Sequence, residues 1–466
     1  MKRILHIPPR HVGLAALCLL SLVYLGLFHY NRFGIDEGAA RGLLLNWAIG
    51  SEVISPVAVL GFPDMRALLF SPLNFHWIGE LSAAKVLTMY LTFATALMLY
   101  RWAERNLGDE TALFATGLWL VAPLTISQTD SIGAGNYLAF CAIAAHWLDQ
   151  YLRASTRTVS GYYFLLVLVL ALAASMHPAG LGMAFAVAWS WFRNDGGNAR
   201  RRTALIAGMG TIIAFVLVSR MGWPELETFN NPIHALAGVL IGDLSHFQSL
   251  PLGFGLIAAV LLVLAVIAAL RRSRDLFTMM LIFGIVFGLL STDQAWSQLA
   301  LLLILFEGIK ALISLNSRLS ATSLAARRGL VALAVFALSF IFMIGDKERF
   351  LLKADHRLQP SDEVISELVD LTQGSGKPVL TASQWPGRTM LATRMGALPL
   401  PPAKDDPEAF LRQMHGVTYI AFDQGDEHNK ALRRQIAELS DRIKTVSIME
   451  GGVIVQLPPS KAQQQR

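Results

Sequence analysis

Apolar runs long enough to cross a bilayer, separated by joints that alternate between arginine-rich and arginine-poor, constrain this chain more than any other feature. A helix needs about 20 apolar residues to span hydrocarbon. Candidate spans fall at roughly 11–30, 82–100, 111–127, 135–152, 161–176, 178–192, 203–219, 253–270, 275–291, 296–314 and 329–345, about eleven in all. Every second joint carries basic residues: Arg101/Arg105, Arg153/Arg157, Arg193 with the arginines at 200–202, Arg271/Arg272/Arg274, and Arg318/Arg327/Arg328. The intervening joints around Asp130, His177 and Asp293 contain no Lys or Arg. The excess of positive charge on cytoplasmic loops then predicts a cytoplasmic N-terminus and basic-poor loops outside. An odd number of spans predicts that the C-terminal part is outside too.

Composition agrees with this class. Hydrophobic residues make up 54% of the chain and charged ones 15%, against about 25% charge in soluble domains. The net charge of +6 is spread over short inter-span clusters, not gathered on one surface, so no nucleic-acid partner is expected. Two cysteines, Cys18 and Cys141, both lie in apolar runs and support neither a disulfide framework nor a cysteine metal site. The basic start (Lys2, Arg3, Arg10) and first apolar run resemble a signal peptide. No small-x-small cleavage signal follows, and the segment reads as a retained signal anchor.

Two outer loops are long, 31–81 and 220–252. The first opens with the adjacent acids Asp36 and Glu37. Its stretch 38–60 is too irregular to span, yet Ala40, Leu43, Leu44 and Trp47 recur at helical spacing, which predicts an interfacial helix on the outer surface. In the second loop, 233–246 is expected to form another surface helix. A carboxylate at the bilayer edge is costly and tends to serve a purpose. Asp36 suits an N-cap with Glu37 against the positive helix end. It equally suits a general base taking a proton from an acceptor hydroxyl or amine. The two roles are compatible.

From about Phe350 apolar runs shorten and charge rises. A helix is predicted over 361–372, a strand over 378–381, and a helix opened by Asp406-Pro407 and closed near Gly416. A strand over 417–422, a helix over 430–443 and a strand pair over 446–457 turned at Gly451-Gly452 follow. Alternating strands and helices predict a small extracytoplasmic α/β domain at 347–460, behind a membrane domain at 1–346 and ahead of a frayed tail at 461–466.

The sequences FGIDEGAARGLLLNWAIG, LLFSPLNFHWIGELSAAKVL and LGDETALFATGLWLVAPLTISQTDS, in this order around the second and third spans, resemble the opening of GT-C glycosyltransferases. More narrowly they are similar to the branch holding protein O-mannosyltransferases and lipid A aminoarabinose transferases. The resemblance covers about 30–155, and the rest in topology. It implies a polytopic α-helical GT-C-like fold and a polyprenyl-phosphate sugar as donor. It also implies that Asp36 is the base with Glu37 as its partner. Asp130, in the outer joint after the third span, falls where relatives place an acidic or polar residue; the alternatives are a cap, a solvated loop residue, or Asn136 in the same slot. A cation must meet the donor phosphate, and arginine suits it by its forked donors. The outer candidates are Arg41, Arg66, Lys85 and Arg220. Where relatives show Lys-Pro-Pro before the second span, this chain has Ser71-Pro72-Leu73.

His76, His177, His234 and His246 lie in outer segments without metal-ligand spacing, and Asp293 and Trp296 read as boundary residues. The expected function is sugar transfer from a lipid-borne donor to an unidentified lipid, glycan or protein acceptor, with inversion. It is placed in a bacterial inner membrane, and the requirement for a metal is open. A transporter or flippase for a lipid-linked sugar would show ionisable residues near mid-span and repeated halves; no repeat is visible, and Glu307 is the exception in charge placement. An envelope scaffold is the third alternative.

Overall fold

The computed structural model describes residues 19, 35–48, 66, 69, 80–154, 160–194, 208, 210, 232–242, 251–272, 275–290, 294–311, 324–354, 360–373, 379–401, 407–426, 429–449 and 452–458. By contacts the chain divides into two compact units. One comprises Met1–Tyr30 and Ser82–Leu351, the other Asn31–Leu81 and Leu352–Arg466.

The first unit is helical. After α1 (Glu37–Ala48), which belongs to the second unit, come α2 (Glu80–Leu107), α3 (Asp109–Leu120), α4 (Pro123–Asp130) and α5 (Ala134–Ala154). They are followed by α6 (Ser160–Met176), α7 (Ala179–Asn194), α8 (Pro232–Ile241), α9 (Pro251–Arg272) and α10 (Leu276–Gly288). A 3-10 turn (Gln294–Trp296) leads into α11 (Ser297–Leu303), a π-helical turn (Ile304–Gly308) and the long α12 (Leu324–Ala354). Two described helices are long and apolar enough to cross a membrane, Leu81–Asn106 and Leu252–Leu270. A third is counted if α3 and α4, bent by 48° at their junction, form one broken span. Proline explains that break: Pro123 has no N–H and its ring clashes with the preceding turn, so it starts a helix and cannot continue one. The expected spans at 11–30 and 203–219 lie outside the described residues, apart from single positions.

Helices α7 and α10 pack closely. A Cβ on Gly182 would come within 2.2 Å of the Phe283 carbonyl oxygen, so only glycine permits that approach. Large apolar side chains point outward instead of inward on α9 (Leu256, Val260, Val263, Leu264) and α12 (Leu333, Phe336, Phe340, Met343). Soluble monomers rarely expose apolar stripes of that kind, and α9 is one of the two described helices long and apolar enough to cross a membrane.

The C-terminal segment of the second unit holds α13 (Pro360–Gln373), β1 (Leu380–Ser383), α14 (Pro386–Thr393), β2 (Gly396–Pro399) and α15 (Pro407–Gln413). Then follow β3 (Tyr419–Phe422), α16 (Lys430–Glu438), β4 (Lys444–Met449) and β5 (Gly452–Gln456). The sheet order is β2-β1-β3-β5-β4, with β1 parallel to β2 and β3, and β5 antiparallel to β3 and β4. Alternation along the strands serves two faces. Tyr419, Ala421 and Ile454 meet Val364 and Leu368 of α13. Ile420, Phe422, Val453 and Val455 meet Phe410 and Leu432 from α15 and α16. The α/β alternation follows the sequence expectation, but α14 and β2 were not anticipated. Their residues, PGRTMLAT and GALP, are short and carry little periodicity. Gly416 takes φ +88° and closes the turn after α15, as its position in the sequence predicts.

Candidate active site

Asp36 sits at the start of α1 and does two things with one carboxylate. The Ala39 N–H donates to Oδ1 (2.7 Å), and the Asp36 carbonyl accepts from the Ala40 N–H (2.9 Å). This is an N-cap, which supplies a partner for a helical amide that has none within the helix. The same carboxylate receives both arms of a guanidinium: Arg66 Nη1 donates to Oδ2 (2.6 Å) and Nη2 to Oδ1 (2.8 Å). Arg66 is only 2% exposed, whereas the Asp36 side chain is 31% exposed. The fork fixes the plane of the carboxylate, and about a third of the side chain stays exposed. Of the two outer cations named from sequence whose side chains are described, Arg66 meets Asp36 and Lys85 meets Asp130. The Arg66–Asp36 contact spans 30 residues, beyond the reach of any local pattern.

Glu37, expected beside Asp36 as its partner, has its carboxylate elsewhere. Oε2 accepts from the Gly387 N–H (2.7 Å) and Oε1 from the Arg388 N–H (3.2 Å), at the first turn of α14. The apolar face of α1 turns the same way: Leu44 is buried with Met390 and Ala397. The helix read from the sequence is therefore present, and Leu44 on it is covered by α14 and β2 instead of lying open along a membrane surface.

In the first unit, Lys85 of α2 and Asp130 at the end of α4 form a buried pair, Nζ to Oδ1 3.4 Å. Beside it runs a polar network in the helix interior. Asn136 donates to Thr129 Oγ1 (2.8 Å), the Thr125 carbonyl (3.1 Å) and Thr92 Oγ1 (3.3 Å). Gln298 of α11 donates to Asn136 Oδ1 and Thr125 Oγ1, both at 2.9 Å, and Thr88 shares a hydrogen bond with Tyr137 (2.7 Å). Buried polar groups cost free energy unless bonded; these bonds engage Asn136 and the Gln298 amide nitrogen, while Gln298 Oε1 is buried without a hydrogen bond among the described residues. Asn136, an alternative for the Asp130 slot on sequence grounds, stands at its centre. Gln298 was not anticipated, because a lone glutamine in an apolar run carries no pattern.

The turn between α4 and α5 is strained next to Asp130. Ile132 has φ +53°, a left-handed conformation that costs a β-branched residue of order 1–3 kcal/mol. The turn is held by the Gly133 N–H on the Gln128 carbonyl (2.7 Å) and the Gly135 N–H on Gln128 Oε1 (3.0 Å). A Cβ on Gly133 would fall 2.1 Å from Gln128 Oε1 and push that side chain off the Gly135 N–H.

Arg41 lies within α1, but its side chain, like Arg220, His76, His246, Asp293 and the side chain of His234, lies outside the described residues. His177 accepts from the Ala179 N–H through Nδ1 (3.1 Å) and so caps α7. Trp296 is buried in the 3-10 turn. Glu307 sits in the π-helical turn and accepts from Thr278 Oγ1 (3.0 Å). Among the described residues no three His, Cys, Asp or Glu side chains are placed to share a metal ion.

No family model and no curated protein matches this sequence. Solved structures do. The chain superposes on ArnT from Cupriavidus metallidurans in its apo state with a TM-score of 0.58 at 14% identity, over 96% of this chain and 98% of that one. The same protein bound to undecaprenyl phosphate gives 0.57 at 14% identity, with the same coverage. The Archaeoglobus fulgidus oligosaccharyltransferase, tethered to an acceptor peptide, gives 0.55 at 11% identity over 91% of this chain and 70% of that one. The fold of this chain is therefore one that ArnT and the archaeal oligosaccharyltransferase share. The resemblance first carried by residues 30–155 extends in structure over nearly the whole chain.

Proposed function

We propose that this protein is a membrane glycosyltransferase that moves a sugar from a polyprenyl-phosphate donor to an acceptor at the outer face, with inversion at the anomeric carbon. Asp36 acts as the base. The observation that carries the reading is a carboxylate locked in orientation by a helix N-terminus and a forked arginine, yet about a third exposed, in a chain that shares its fold with ArnT. A base must reach the acceptor proton in a fixed geometry, and a rigid, half-open carboxylate meets that need.

The donor is assigned on the undecaprenyl phosphate bound by the similar ArnT. The candidates for the cation at the departing phosphate are Arg220, Arg41 and Lys85, the last of them paired with Asp130. Asp130 orients Lys85 in this scheme. Eleven spans, a cytoplasmic N-terminus, an outer α/β domain and a bacterial inner membrane complete the reading. The sugar is a hexose or a pentose and the acceptor a lipid, a glycan or a protein.

Transfer from labelled polyprenyl-phosphate sugars by the purified protein tests the proposal. Asp36→Asn should lower the rate by about 10²–10⁴-fold, the usual contribution of a positioned base, while the protein stays folded. Wild-type rates from Asp36→Asn sink the base assignment. The buried Lys85–Asp130 pair gives the transporter reading its one foothold, since ionisable groups among membrane helices often mark a translocation path. Donor movement across vesicles without any sugar transfer would favour it.

A further inference from the structure

Adjacent in sequence, Asp36 and Glu37 hold opposite ends of one mechanical link. Helix α14 begins with Pro386, which has no N–H, and its N-cap residue Trp385 makes no side-chain capping bond. The first amides the helix can offer are those of Gly387 and Arg388. Both are taken by the Glu37 carboxylate from 350 residues away, where the positive end of the helix favours an anion. The fit is close: a Cβ on Gly387 would stand 2.6 Å from Glu37 Oε2, so glycine is what lets the carboxylate in. Arg388 ties the other side of α14 to α13, with Nη1 on Ser361 Oγ (3.1 Å) and Nη2 on Asp362 Oδ1 (2.6 Å). Leu44, Met390 and Ala397 supply the apolar part of the same joint.

We infer that Glu37 is a positioning residue: by clamping the first turn of α1 to α14 it sets where Asp36 stands, and so makes the α/β domain part of the catalytic apparatus. The inference rests on Asp36 being the base. Nothing in the clamp requires Glu37 to exchange a proton, because its two oxygens meet backbone amides. A shift of about 1 Å in a reacting group can cost on the order of 10²-fold in rate, which gives the clamp its leverage.

The test uses the full-length protein in proteoliposomes, with Glu37→Gln and Gly387→Ala measured beside wild type and Asp36→Asn. Steady-state kinetics across pH are combined with hydrogen exchange of the amides at 387 and 388. Both clamp variants should lower kcat by about 10–100-fold, with KM for the donor little changed and the shape of the pH profile preserved. Exchange at 387 and 388 should quicken, and the double variant should be no slower in turnover than the worse single one. Gly387→Ala matters because it alters neither carboxylate, and Glu37→Asp, one methylene shorter, should not restore the rate. Loss of a limb of the pH profile in Glu37→Gln with amide protection intact overturns the proposal in favour of a proton-transfer role. So does wild-type turnover in both variants. If the wild type transfers no sugar at all, the base assignment falls and the positioning role falls with it. Normal transfer with unchanged exchange in Glu37→Gln removes the clamp alone.

Discussion

At the scale of single residues the site turns on which side chain meets which carboxylate. The sequence offered four outer cations and ranked none of them against Asp36; folding chose Arg66. The forked geometry makes that choice testable. A lysine at 66 keeps the charge but cannot give two parallel hydrogen bonds. A hydrogen bond to a charged group is worth roughly 1.5–3 kcal/mol, and partial solvation of Asp36 pulls the effect toward the lower figure. Arg66→Lys should therefore lower kcat by about tenfold while binding the donor normally, as transfer kinetics at saturating donor will show. Asp130 and Lys85 were each legible as candidates because charge is rare in apolar surroundings. Asn136 and Gln298 became partners only through packing, since the bond between them joins positions 162 residues apart.

Elements were easiest to read where one physical rule dominates. Helices α2 and α9 are long and apolar, and α13, α15 and β3 fall close to their expected places. The third span was read as continuous, whereas Pro123 divides it into α3 and α4 at 48°, a consequence of the missing amide that hydropathy averages away. Close helix contacts were also invisible in composition. Gly182 faces backbone of α10 at a distance that admits no side chain. Overpacking of this kind costs typically 1–3 kcal/mol. Gly182→Ala should thus lower the thermal midpoint in detergent, whereas Gly161→Ala, with open space at its Cβ, should leave it unchanged.

For the whole molecule, the arginine alternation predicts a cytoplasmic joint between α2 and α3 and an outer α/β domain. Accessibility decides where to probe it. Ser361 is buried and receives the Arg388 guanidinium, so it is a poor reporter, whereas Asp109 and Ser440 are exposed. In a background without Cys18, Ser440→Cys should react with a membrane-impermeant thiol reagent from outside and Asp109→Cys should not. The reverse result inverts the topology. Buried Cys141 will stay silent in either case. Sequence alone determined the long apolar helices, the α/β character of the C-terminal region and the acidic pair at the head of α1. Those features depend on local quantities: hydrophobic length, strand and helix periodicity, and charge beside an apolar run. Only the tertiary structure decided that Asp36 goes to Arg66 and Glu37 to the amides of α14. Neighbouring carboxylates of nearly the same chemistry cannot be told apart by a pattern. What separates them is which distant donors the fold brings within 3 Å or so, and that follows from packing of the chain as a whole.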